Sequence, residues 1–233
     1  MNSASRPEQQ GFTLVEVMIA LLIGGVVMAA VMTTFRVQHN TYLAQDQVVE
    51  MQQNLRVAMD MLSREIRSAG FDPTGESGAG IVDADENQLR FTRDLDASGG
   101  TYISPTDTFE NDPSERISYQ LNVNPPSLGR TTGNGVVPQP VADNIVALEF
   151  LYLLADGTTV LNPDPADFGN IRGVTISMLA RAANEDRSHT DNLRYFPASN
   201  PTMDEDEFFW GPFDDGFRRR LLIQTVMFRN LGL

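Results

Sequence analysis

Apolar residues fill positions 12 to 35 almost without a break: FTLVEVMIALLIGGVVMAAVMTTF is 24 residues long and carries one charge, Glu16. At about 1.5 Å per residue, such a stretch is long enough as a helix to cross a hydrocarbon core of roughly 30 Å. The pattern then changes to spacings of three and four, with apolar residues at Val48, Met51, Leu55, Ala58, Leu62, Ile66 and Ala69. That is the stripe of an amphipathic helix. No proline occurs between residues 8 and 72, Gly70 offers a helix end and Pro73 a stop. Residues 12–69 therefore predict 58 near-continuous helical positions, on the order of 87 Å. The same stripe suits the seam of a free coiled coil, but the β-rich remainder favours a stripe covered by a sheet.

Past residue 70 the period shortens to two. In RISYQLNV (116–123), Ile117, Tyr119, Leu121 and Val123 alternate with Ser118, Gln120 and Asn122, as in a half-buried strand. QLRFT (88–92), NIVALEFLYLL (144–154), RGVTISMLARA (172–182) and RLLIQTVMFRN (220–230) are further strands, separated by runs rich in Gly, Pro, Asn and Asp. The fold class is α+β, a long N-terminal helix on an antiparallel sheet.

Composition narrows the chemistry. Cysteine is absent, which excludes disulfides, thiolate nucleophiles and cysteine-held metals. All 17 basic residues are arginine, against 31 acids; from residue 71 onward 12 Arg face 25 Asp and Glu, so −13 of the net −14 falls there. Such a surface repels phosphate backbones, and nucleic acid is a disfavoured partner. The run Arg218, Arg219, Arg220 reads as the solvated start of the last strand.

The apolar segment is too long for a secretory h-region, and the leader MNSASRPEQQG carries one arginine, offset by Glu8. Arg6 and Arg36 give no orientation by the usual count of flanking cations. A carboxylate on a membrane helix costs roughly 2.5–3.5 kcal/mol when central, less near an end, and normally marks function or a partner. GFTLVEVMIALL (11–22) resembles the processing and methylation signature of type IV prepilins and of type II secretion pseudopilins, with the glycine, aromatic, glutamate and apolar run in place. The resemblance implies cleavage between Gly11 and Phe12 by a dedicated peptidase on the cytoplasmic side. It also implies methylation of Phe12, leaving 222 residues with Glu16 fifth among them. It further implies that Glu16 compensates the N-terminal charge of a neighbouring subunit as helices pack into a filament. One departure is the absence of the helix-breaking proline that major pilins usually carry.

The resemblance continues through AMDMLSREIRSAGFDPTG, NIVALEFLYLLADG, IRGVTISMLARA and RRRLLIQTVMFRN, which look in order like the body of W-type minor pilins. The J-type pseudopilins of type II secretion are the alternative. It implies a non-enzymatic subunit that initiates or tips a pilus, held in the bacterial inner membrane as a precursor and then displayed at the cell surface. Its partners would be the prepilin peptidase and other minor and major pilins. The implied organisation is a leader (1–11), a transmembrane and filament-core helix (12–35), its amphipathic continuation (36–70) and an acidic β-rich domain (71–233).

Three further patterns have their own readings. DLDASGG places Asp94, Asp96 and Ser98 at positions one, three and five of a calcium-loop pattern, with Gly99 sixth; the twelfth position is Pro105 where glutamate is needed. A plain turn uses the same residues, so no cofactor is expected and calcium is the weak candidate. MDEDEFFWGPFDDGF (203–217) mixes six acids with five aromatics; it reads as a loop pinned by Phe208, Phe209 and Trp210, with a partner site as the alternative. The two histidines, His39 and His189, join no recognisable catalytic motif.

Overall fold

The computed structural model describes residues 12–95, 115–133, 135 and 137–231. By its contacts the chain divides into two units, Met1–Asp46 and Gln47–Leu233. Among the described residues, the first unit is helical throughout from Leu14, the first residue of α1 (Leu14–Ile66). Its threonines return their hydroxyls to the backbone: Thr33 Oγ1 donates to the Ala29 carbonyl at 2.9 Å and Thr34 Oγ1 to Ala30 at 3.1 Å. Bonds back to the preceding turn leave no unsatisfied polar group on an apolar surface.

The second unit begins with the last five turns or so of α1 and continues into nine strands among the described residues: β1 (Ile81–Ala84), β2 (Gln88–Thr92), β3 (Arg116–Val123), β4 (Pro126–Thr132), β5 (Gln139–Asp143), β6 (Ile145–Leu154), β7 (Thr159–Val160), β8 (Ile171–Arg181) and β9 (Arg219–Met227). All pairings are antiparallel and form two sheets, ordered β1-β2-β3-β4-β5 and β7-β6-β8-β9. The expected sheet is thus divided in two, and both halves meet the helix. Met51, Leu55, Ala58, Leu62, Ile66 and Ala69 are all buried, and Met59 joins them, in one core with Leu89, Phe91, Ile117 and Tyr119 of the first sheet and Phe150, Tyr152, Val174 and Ile176 of the second. The coiled-coil alternative therefore fails: the stripe is covered by the chain's own strands.

The helix ends close to its expected stop. Ala69 N–H bonds the Ile66 carbonyl at 3.0 Å, and Gly70 follows at φ +72°, donating to the Thr92 carbonyl at 2.9 Å. A Cβ on Gly70 would lie 2.4 Å from Leu231 Cδ2, so a side chain here would strain the backbone and have to displace Leu231. A fork fastens α1 to the first sheet: Glu65 Oε2 accepts Arg130 Nε at 2.9 Å and the Tyr119 hydroxyl at 2.7 Å, while Oε1 accepts Arg130 Nη2 at 2.8 Å.

Because strand side chains alternate between faces, the second sheet has a second buried side. Ala147, Leu179 and Tyr195 form a smaller core there, packed against Trp210, Phe213 and Leu221. The segment between β8 and β9 thus returns across this face, and it carries the isolated bridges Asp191–Asp215 and Tyr195–Trp210.

Candidate assembly site

The N-terminus of α1 explains itself locally. Thr13 precedes the first helical residue, its N–H and its hydroxyl both donate to Glu16 Oε2 at 2.9 Å, and Glu16 N–H donates back to Thr13 Oγ1 at 3.3 Å. This reciprocal Thr-x-x-Glu arrangement is a capping box, which satisfies donors that a helix start leaves open. The spacing is legible in the sequence as TLVE, yet the role of Thr13 is not among the expectations drawn from it. Both bonds to the carboxylate fall on Oε2; Oε1 takes none among the described residues.

Beyond this cap the helix is bare. Phe12, Leu14, Val15, Met18, Leu21, Leu22, Val26 and Met28 are exposed, as are the apolar residues on the other sides of the same turns, from Val17 and Ile19 to Ile23 and Val27. The helix is long and apolar enough to cross a membrane, and none of its most apolar stretch is buried. Apolar surface of this extent on every side of a helix is stable only in lipid or against other apolar helices. Gly24 and Gly25 have nothing within 4 Å of where a Cβ would stand. At the far end, Phe35 and His39 stack one turn apart at 6.3 Å.

The second unit is closed by a buried ion cluster. Arg219 reaches Asp191 at 2.9 Å and grips Asp215 with both terminal nitrogens, at 2.6 and 2.7 Å. Its guanidinium lies 3.8 Å from the Phe213 ring centroid, and the Tyr195 hydroxyl donates to Asp191 at 3.0 Å. Hydrogen bonding by Arg219 holds the Asp215 carboxyl below its usual range. Arg218 pairs with Asp186 at 2.8 Å, and hydrogen bonds first from Ser188 and then from Arg218 bring the Asp186 carboxyl down to about 2. The expectation that Arg218, Arg219 and Arg220 mark a solvated strand start is corrected here: only Arg220 is exposed. Arg219 points with Leu221 toward the second core.

The aromatic loop is likewise pinned, by two of the three expected residues, Phe209 and Trp210, with Phe213 in place of Phe208. Trp210 and Phe213 pack on the second core, and Phe209 lies 5.8 Å from Phe196, whereas Phe208 is 62% exposed. Of the calcium-pattern residues, Asp94 is buried and its N–H donates to the Phe71 carbonyl at 2.7 Å. Asp96 and Ser98 lie outside the described residues, as does Gly11. Phe12 and Glu16 stand exposed, four residues apart, at the start of α1.

Residues 6–32 match the family described as the prokaryotic N-terminal methylation motif. No curated protein sequence matches the chain. Among solved structures, the fold is similar to that of the type IV-like pilin TTHA1219 from Thermus thermophilus, at 17% identity and a TM-score of 0.50, over 78% of this chain and 98% of that one. The chain therefore combines a prepilin-type N-terminal motif with a type IV pilin-like fold.

Proposed function

We propose that this chain is a minor type IV pilin, a structural subunit that helps to initiate or tip a pilus. One observation carries the reading: a helix apolar on every side, exposed along its whole membrane-length stretch, belongs to a chain whose second unit buries a core of its own. Lipid covers such a surface before assembly and the helices of other pilins cover it afterwards. The precursor sits in the inner membrane with the acidic head facing outward. Prepilin peptidase cuts between Gly11 and Phe12 and methylates Phe12. The resulting α-amino group has a partner in Glu16 of a neighbouring subunit, where a buried charge pair sets the register of packing. The function rests on packing alone, with no catalytic group and no cofactor.

Mass spectrometry of fibres sheared from the native cells tests this reading. The peptide from N-methylated Phe12 to Arg36 is expected in the fibre fraction. Its confinement to the cell envelope would point instead to a J-type pseudopilin or a priming role at the base. Recovery only of uncleaved chain, with residues 1–11 still joined to Phe12, would overturn the pilin reading.

A further inference from the structure

The second unit contains a recess of about 340 Å³ where the turn after β1, the strand β6 and the returning aromatic segment meet. Trp210, Phe208 and Leu148 belong to its apolar lining, and Glu149, Glu86 and Asn87 to its polar lining. Glu149 is only 4% exposed. Its bonds come from neutral donors: the Ser199 hydroxyl at 2.7 Å, the Ser199 N–H at 3.2 Å and the Ser177 hydroxyl at 3.4 Å. A carboxylate offers about four acceptor positions, so these three leave room for another donor. Glu86 stands exposed at the rim, with Asn87 Nδ2 donating to its Oε1 at 3.1 Å. Phe208 and Trp210 meet edge to face at 6.4 Å. No arginine or histidine lines the recess, and among the described residues no ion pair reaches Glu149 or Glu86.

We propose that this recess binds an organic cation, an alkylguanidinium or alkylammonium group, with Glu149 as its buried counter-charge, Glu86 at the rim and the Trp210 and Phe208 rings as its walls. A buried carboxylate held only by neutral donors is incompletely compensated, and a cation supplies what serine hydroxyls do not. Tryptophan is the strongest aromatic partner for a cation, and partial desolvation strengthens the contact. The volume accommodates one long basic side chain or a slender amine. A neutral sugar would find the same ring but leave both negative charges unmatched. The site lies wholly in the second unit and does not depend on how the chain assembles.

Trp210 is the sole tryptophan, so its emission reports the site directly. The full chain in detergent micelles is titrated with arginine amide, the peptide Gly-Arg-Gly, spermidine and methyl glucoside. The expected result is a saturable, salt-sensitive change in Trp210 emission with the cations and none with the glucoside. Affinity should fall about fivefold in Glu86→Gln, where an exposed charge is lost without disturbing the fold, and be lost in Glu149→Gln. Gly-Arg-Gly binding more tightly than arginine amide assigns the recess to a basic side chain of a partner protein, and spermidine binding more tightly than both assigns it to a free polyamine; each upholds the site. Silence from all three cations, saturation by methyl glucoside alone, or an equal loss of affinity in Glu76→Gln, an exposed acid outside the recess, overturns it.

Discussion

Arg219 and Asp191 pair at 2.9 Å with their side chains 3% and 0% exposed. The pair ties β9 to the segment that returns across the second sheet, in a chain without cysteine to do so covalently. Breaking a buried pair by removing one partner costs about 3–5 kcal/mol, because the other charge is left uncompensated. Arg219→Ala should therefore lower unfolding stability by about 3 kcal/mol. Arg219→Lys should recover less than half of that, since a point charge does not span Asp191 and Asp215 as a planar fork does. Urea unfolding followed by Trp210 emission reads both, and an unshifted midpoint in Arg219→Ala would rule the cluster out as the fastening of this segment.

The fork from Glu65 to Arg130 and Tyr119 separates two sizes of effect. Glu65→Ala removes the common acceptor of three hydrogen bonds and leaves a largely buried arginine unpaired, for which about 3 kcal/mol is expected. Tyr119→Phe removes one hydroxyl from a fully buried ring and leaves the ion pair intact, which should cost about 1–2 kcal/mol. Chemical unfolding of the two variants in parallel checks the ratio; equal losses would mean that the ring's hydroxyl, not the charge pair, holds α1 to the first sheet.

Tyrosine burial makes the head sensitive to alkali. Burial, and then the neighbouring carboxylates, raise the Tyr119 and Tyr195 hydroxyls above their ordinary value of 10, and burial raises Tyr152. The unfolded chain releases these protons near pH 10 while the folded chain keeps them, so stability is fully present below that pH and falls as pH rises above it. Each tyrosine contributes a slope of about 1.4 kcal/mol per pH unit in that range. Urea midpoints measured between about pH 9 and 11 should decline, and Tyr119→Phe should flatten the decline by about a third. A midpoint independent of pH would contradict the burial of all three hydroxyls.

Strong periodicity carried most of what was legible in the sequence. The stripe from Met51 to Ala69 is buried as its spacing requires, and β2 and β3 fall on QLRFT and RISYQLNV because one face of each is the core. The strands β4 and β5 were hidden by Pro126, Gly129 and Pro140, which read as loop residues. Only pairing makes Gly129 a strand residue: a Cβ there would lie 2.6 Å from Asn122 Oδ1 across the hairpin. The division into two sheets falls at a single residue, Asn144 at φ +62°, between β5 and β6; alternation runs on either side of it and does not mark where one sheet ends. Arg219 differs in kind: its three-arginine run reads as solvated, but alternation from Leu221 puts position 219 on the inner face.

Glu16 has two possible duties, and a pair of variants separates them. As the cap of its own helix it works with Thr13, whose hydroxyl and N–H it accepts at 2.9 Å; losing either residue would then weaken the helix start to a similar degree. As the partner of a neighbouring subunit's α-amino group it works by charge, and Thr13 is irrelevant. The intersubunit role predicts that Glu16→Gln and Glu16→Ala are cleaved normally but enter sheared fibres poorly, while Thr13→Ala is both cleaved and incorporated at close to the ordinary level. Gly11→Ala should retain the leader and stay out of fibres altogether, which fixes the baseline for unprocessed chain. Immunoblots of whole cells and sheared fibres read cleavage and incorporation from the same culture. If Thr13→Ala and Glu16→Ala reduce incorporation equally, the carboxylate is a helix cap alone, and another group must answer the N-terminal charge within the filament.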